Sequence, residues 1–222
     1  MKHKFILILL PLLFLVALNS TFSEKKETIV SSYFPANNNI LLVYSSSFGE
    51  SITKYFRDGE FTVSSSNSDK FKYRQTLLIK EDGIYVKETY QFLHVLLFIK
   101  KEETFTYNKP MLRFPLPLTS GREWKWEGVE YSKSGSAKVK ITGKVLNKEF
   151  VKTKAGIIEA IKIESVIEGS SNAKNRVTEW YAKDIGLIKA QIIVEGGGIM
   201  GFLSDFLGYG TIEFELTEIR KK

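Results

Sequence analysis

The chain has 222 residues, no cysteine, two histidines and a formal net charge of +7. Without cysteine it has no disulfides, thiol nucleophiles or sulfur-ligated metal sites, and with His94 as the only imidazole beyond the extreme N-terminus, multi-histidine zinc and facial iron sites lack ligands. About 200 residues are enough for one domain whose core holds by burial alone.

Lys2, His3 and Lys4 precede an apolar run over residues 5–18, after which residues 19–23 turn small and polar. That three-part layout predicts a secretory signal peptide over residues 1–23. The run is shorter than the roughly 20 residues a spanning helix needs and carries Pro11, so cleavage is expected over retention as an anchor. Thr21 and Ser23 place the cut before Glu24, with Ser20 as a second boundary. Without cysteine, no acyl anchor can be attached at the signal's end. The mature chain is thus expected outside the cytoplasm, in the periplasm or the extracellular space, with no transmembrane segment. It keeps 30 basic against 25 acidic residues, or +5. The cations are scattered along strands, and export removes nucleic acid as a partner.

Residues 24–32 read as a flexible tether and residues 33–222 as a single antiparallel β domain. Strands are predicted over 40–46 and 60–65, separated by a polar segment containing Gly49 and Asp58-Gly59. Residues 71–79 alternate Phe71, Tyr73 and Leu77 against Lys72, Arg74 and Thr76, and Glu81-Asp82-Gly83 supplies a hairpin turn. The return strand ends in residues 92–99, apolar on both faces, which implies cover on both sides: a central strand of a closed core, or a strand against an apolar ligand. His94 lies in this run and reads as a satisfied or partly buried strand residue, since no G-x-S-x-G elbow accompanies it.

Residues 114–118 form a proline-bearing extended entry, expected at an edge or before a strand. Trp124 and Trp126 then share one face of a strand whose other face is charged, an aromatic platform suited to a core or to a ligand. Further strands are predicted over 137–145, 157–167, 176–182, 187–194 and 211–219. Between the last two, Ile199, Phe202, Leu203, Phe206 and Leu207 form a helical stripe, with Gly196-Gly197-Gly198 as a hinge and Gly208 as a stop. Residues 196–201 match G-x-G-x-x-G, but no βαβ unit follows, so a dinucleotide site is rejected. Glu123, Glu127, Glu130, Glu179 and Asp184 are the carboxylates from which a hydrolase pair would be drawn, although alternating strands usually put such residues in solvent.

Three stretches, Leu116-Pro117-Leu118-Thr119-Ser120-Gly121-Arg122-Glu123-Trp124, residues 151–163 around Ala155-Gly156, and Trp180-Tyr181-Ala182 through Gly186-Leu187-Ile188-Lys189, follow one another in order. They resemble exported bacterial domains of unknown function whose sheets are similar to the half-barrels of periplasmic lipoprotein carriers. Ile157 stands where those domains have an aromatic residue. The resemblance implies a fold and a compartment, and no activity.

The expected fold is therefore mainly β, a curved antiparallel sheet or incomplete barrel with one short helix near the C-terminus. The expected function is a non-enzymatic envelope protein, without cofactor or metal, binding a lipid or other apolar ligand through Phe92, Leu96, Phe98, Trp124, Trp126, Trp180, Phe202, Leu203 and Phe206. The alternative is an interaction or scaffold module that binds another envelope protein by a sheet edge or an aromatic patch.

Overall fold

The computed structural model describes residues 32–36, 39–95, 99–169, 174–195 and 210–221. They form twelve antiparallel strands: β1 (Ile40–Ser46), β2 (Gly49–Asp58), β3 (Phe61–Asn67), β4 (Phe71–Ile79), β5 (Gly83–Val95) and β6 (Ile99–Pro115) in the first half. The second half contributes β7 (Glu123–Ser132), β8 (Gly135–Thr153), β9 (Gly156–Gly169), β10 (Lys174–Ala182), β11 (Gly186–Glu195) and β12 (Thr211–Lys221). Each strand pairs with its neighbour in sequence, and β1 pairs with β12, from Ile40 opposite Lys221 to Ser46 opposite Phe214.

The sheet is a closed barrel, which corrects the expected incomplete one. Alternation tells each strand which side chains face inward, but says nothing about whether the first and last strands meet. No helix occurs among the described residues. The expected helical stripe at 199–207, the signal peptide and the first eight residues of the tether lie outside them.

Two strands have no counterpart in the sequence-based expectation. β2 occupies the segment read as polar, because its inward residues include Ser51 and Thr53, both buried, beside Tyr55. An inward face that is itself polar erases the apolar alternation by which a strand is recognised. β6 begins in Lys100-Lys101-Glu102-Glu103 and carries Pro110, both of which mask its 17-residue length. Pro110 has no N–H, and the β6–β7 ladder is reduced to Thr106 opposite Tyr131 and Tyr107 opposite Glu130. Side chains close the rest of that seam: Trp126 Nε1 donates to the Pro110 carbonyl at 3.1 Å, and the Val129 N–H donates to Asn108 Oδ1 at 2.9 Å.

The interior is divided along the barrel axis. At one end, here the base, lie the β2–β3, β4–β5, β6–β7, β8–β9 and β10–β11 turns, and a large cluster including Phe34, Phe114, Leu116, Trp124 and Tyr181 fills the barrel. At the other end, the mouth, a smaller cluster of Leu93, Val194 and Ile212 packs with Phe48, Phe71, Ile192 and Phe214. The base is stoppered by the chain preceding β1. The Asp184 N–H donates to the Ser32 carbonyl at 2.6 Å, and Phe34 packs 5.3 Å from the Tyr181 ring, 6.0 Å from Tyr55 and 6.2 Å from Phe114.

Candidate functional site: an internal cavity

Between the two clusters lies a cavity of about 270 Å³, close to the lower end of the roughly 300–1,000 Å³ that small-molecule sites occupy. Its lining follows from strand register. β2, β3, β4 and β5 turn Thr53, Ser64, Ser66, Gln75 and Gln91 inward, whereas β11 and β12 turn Ala190, Ile192, Ile212 and Phe214 inward. Phe48 stacks on Phe71 at 5.7 Å, and Phe71 lies 6.0 Å from Phe214, so aromatic rings crowd the mouth.

Deeper in the barrel is a buried ion pair. Arg113 on β6 donates through Nη2 to Glu179 Oε1 at 2.5 Å and to the Tyr181 hydroxyl at 3.1 Å, and that hydroxyl donates to Glu179 Oε1 at 3.1 Å. Both side chains are largely buried, at 18% exposure for Arg113 and 8% for Glu179. Burial opposes the guanidinium charge, but the Glu179 carboxylate together with the Tyr181 and Tyr73 hydroxyls outweighs it, and Arg113 is raised well above its ordinary value. Burial pushes the tyrosine hydroxyls up: Tyr73 to about 12, Tyr181 and Tyr44 well above their ordinary value, Tyr55 in the same direction. These phenols are neutral hydrogen-bonding groups at any physiological pH. Burial also raises the Glu130 carboxyl, against the lowering effect of its hydrogen bond from Tyr107.

Arg113 Nε and Asn175 Oδ1 are buried at the cavity without a hydrogen-bond partner among the described residues, and beside them stands Gln75. It is only 5% exposed and lines the cavity, yet among the described residues its carboxamide has no hydrogen-bond partner, and neither has that of Gln91. Thr53 and Ser66, by contrast, bond each other at 2.9 Å.

The residues singled out from sequence are dispersed. Phe92 sits on the cavity rim, with the Lys72 ammonium 5.5 Å from its ring centre. Trp124 and Trp126 face inward and are buried, but in the filled base and seam: Trp124 packs edge-on to Phe114 at 6.1 Å and Trp126 edge-on to Tyr107 at 5.8 Å. The two indoles cover Gly143 and Gly128, where a Cβ would collide with the rings. Trp180 alternates with inward Glu179 and Tyr181, so it lies on the outer face. There its Nε1 donates to Glu149 Oε1 at 2.5 Å, and the Lys162 and Lys189 ammonium groups each lie 5.6 Å from the ring centre. Leu96, Phe98, Phe202, Leu203 and Phe206 are outside the described residues. His94 is half-buried in β5, and among the described residues its Nε2 has no hydrogen-bond partner. Of the carboxylates, Glu123 and Glu127 pair with Lys144 and Lys125 on the outer face, whereas Glu179 lines the cavity. Among the described residues no group of three His, Asp or Glu could hold a metal.

Sequence reasoning passed over Arg113, Gln75, Ile192 and Phe214. Arg113 was within reach of it: it stands two residues from Met111 in β6, the spacing that sends both to one face.

Residues 121–201 match the DUF3108-like family. That stretch runs from β7 through β11 and contains the β8–β9 and β10–β11 turns of the base together with Glu179 and Tyr181. Arg113 and Gln75 lie outside it. Two solved structures are also similar to the chain, each at 12% identity and each covering 85% of it. One is a putative lipoprotein of Parabacteroides distasonis, covered over 98% of its length with a TM-score of 0.45. The other is a putative exported protein with a YmcC-like fold from Bacteroides fragilis, covered over 99% with a TM-score of 0.46. No curated protein matches the chain.

Proposed function

We propose that this is an exported, non-enzymatic protein of the bacterial envelope that holds a lipid or another chain-like apolar molecule inside its barrel. The observation that carries the reading is the cavity itself. A barrel whose base is packed solid leaves a space bounded by Phe71, Ile192, Ile212 and Phe214 in its upper half, where its own side chains could have met. Apolar walls of this kind reward occupancy, since each 100 Å² of ligand hydrocarbon removed from water contributes about 2.5 kcal/mol, set against the lost freedom of the ligand. Export rests on the basic, apolar and small-polar layout of residues 1–23.

Scaffolding by strand addition has little to work with, because the described strands form a closed ring whose short β6–β7 ladder is bridged by the Trp126 and Asn108 side chains. An aromatic patch remains open to that alternative, with Phe150 and Ile157 at 77% and 72% exposure on the β8–β9 hairpin.

The test is saturable uptake of 1-aminoanthracene by the mature protein, compared with an Ile192→Glu variant whose folding is verified by circular dichroism. One dye per chain, lost in the variant, is expected. Absence of uptake, or uptake equal in the two proteins, contradicts the proposal.

A further inference from the structure

We infer that the ligand is a single-chain amphiphile with a neutral hydrogen-bonding head, which meets Gln75 and Gln91 while its tail lies against Ile192, Ile212 and Phe214. This rests on the reading of the cavity as a ligand site, and adds the chemical class of what enters it.

Three observations lead there. The lining is divided between strands: Phe71, Leu93, Ile192, Ile212 and Phe214 are apolar, while Gln75, Gln91, Asn175 and Arg113 face the same space. A ligand that matches both parts must have an apolar end and a polar one.

The second observation is the pair of unpartnered carboxamides. Gln75 is 95% removed from solvent and borders the cavity, so an occupant that fills this space without hydrogen-bonding the carboxamide leaves it unsatisfied at a cost in free energy. A plain hydrocarbon would strip remaining water from both amides and return nothing. A hydroxyl, ester or amide head satisfies them, because each carboxamide offers both a donor and an acceptor.

The third is the charge balance. Arg113 is the sole basic residue among the described lining residues, and Glu179 at 2.5 Å already matches it. A carboxylate or phosphate head would enter a space with no free cation to compensate it, so the anionic lipids favoured by the protein's overall positive charge are disfavoured inside the barrel.

The experiment is displacement of bound 1-aminoanthracene from the mature protein at pH 7.5 by three twelve-carbon competitors: 1-monolauroylglycerol, laurate and dodecane. Monolauroylglycerol is expected to compete at least ten-fold more tightly than either of the others. Gln91→Leu, at a half-buried position that should tolerate it, and Gln75→Leu are each expected to remove most of that advantage while leaving dodecane unchanged or tighter. Equal competition by all three, or tightest binding by dodecane or laurate, overturns the inference and leaves the cavity a binding site of another specificity. Dye uptake with no displacement by monolauroylglycerol also overturns it, whereas failure to take up the dye at all removes the ligand reading itself.

Discussion

The base and the mouth of this barrel are made from the same twelve strands but solve opposite problems. At the base, Phe34, Phe114 and Tyr181 pack ring against ring, the Tyr44 hydroxyl donates to the Leu187 carbonyl at 2.5 Å, and Tyr55 lies against Gly186, whose φ of 102° suits glycine alone. Trp124 Nε1 nonetheless stays without a hydrogen-bond partner among the described residues. Above the base, Phe71 and Phe214 lie 6.0 Å apart beside the cavity, and Gln75 and Gln91 border the same space. A filled end supplies the stability that permits an unfilled one.

The contrast is sharpest at the ion pair between the two halves. Glu179→Ala leaves the Arg113 guanidinium buried and unmatched, and is expected to cost about 3–5 kcal/mol in urea unfolding. The double change Arg113→Met with Glu179→Leu should recover most of that loss, because it removes both charges and keeps the volume. A Glu179→Ala protein as stable as wild type would mean that the pair is solvated and that the halves are not separated as described.

Truncation of one aromatic ring in each half tests the same contrast at smaller scale. Phe34→Ala removes a ring that is 3% exposed and is expected to cost about 3–4 kcal/mol. Phe71→Ala, at a partly buried position beside the cavity, should cost about 1–2 kcal/mol in the ligand-free protein and weaken ligand binding instead. Equal costs at the two sites would erase the distinction between plug and mouth.

The smallest effect expected is a pH dependence at Glu130. Burial raises its carboxyl above the ordinary 4.5 in the folded protein. The folded state therefore holds this proton more tightly than the unfolded chain does, and the corresponding stability is present at low pH and lost as pH rises through the raised value. Glu130→Gln should raise the melting temperature slightly at pH 7, by less than about 3 °C, and the gain should vanish below the unfolded carboxyl's pH. A gain that persists at pH 3 would point to packing as its cause.

The two halves were also unequally legible. The three motifs that carry the family resemblance map onto turns of the base. Gly121 (φ 83°) precedes Arg122, whose Nη1 donates to the Leu116 carbonyl at 2.5 Å; Gly156 (φ 132°) turns β8 into β9; and Gly186 bears on Tyr55. Turns leave strong marks in sequence because few residues can adopt their backbone, and buried indoles leave marks because they are large and rare. The cavity leaves neither mark. Its polar wall, with Thr53, Ser64 and Gln75, uses the residue types of a solvated face, and only the closing of β1 onto β12 turns that face inward. The tryptophans thus drew attention to the end that is filled, and the unremarkable glutamines border the cavity.

The most direct test of the central claim is native mass spectrometry, with lipid extraction, of the mature protein purified gently from a cell envelope. The account predicts a single co-purifying neutral amphiphile per chain, lost when Ile192 is replaced by glutamate while the fold is retained. A folded protein that emerges empty and remains empty after incubation with envelope lipids would contradict it.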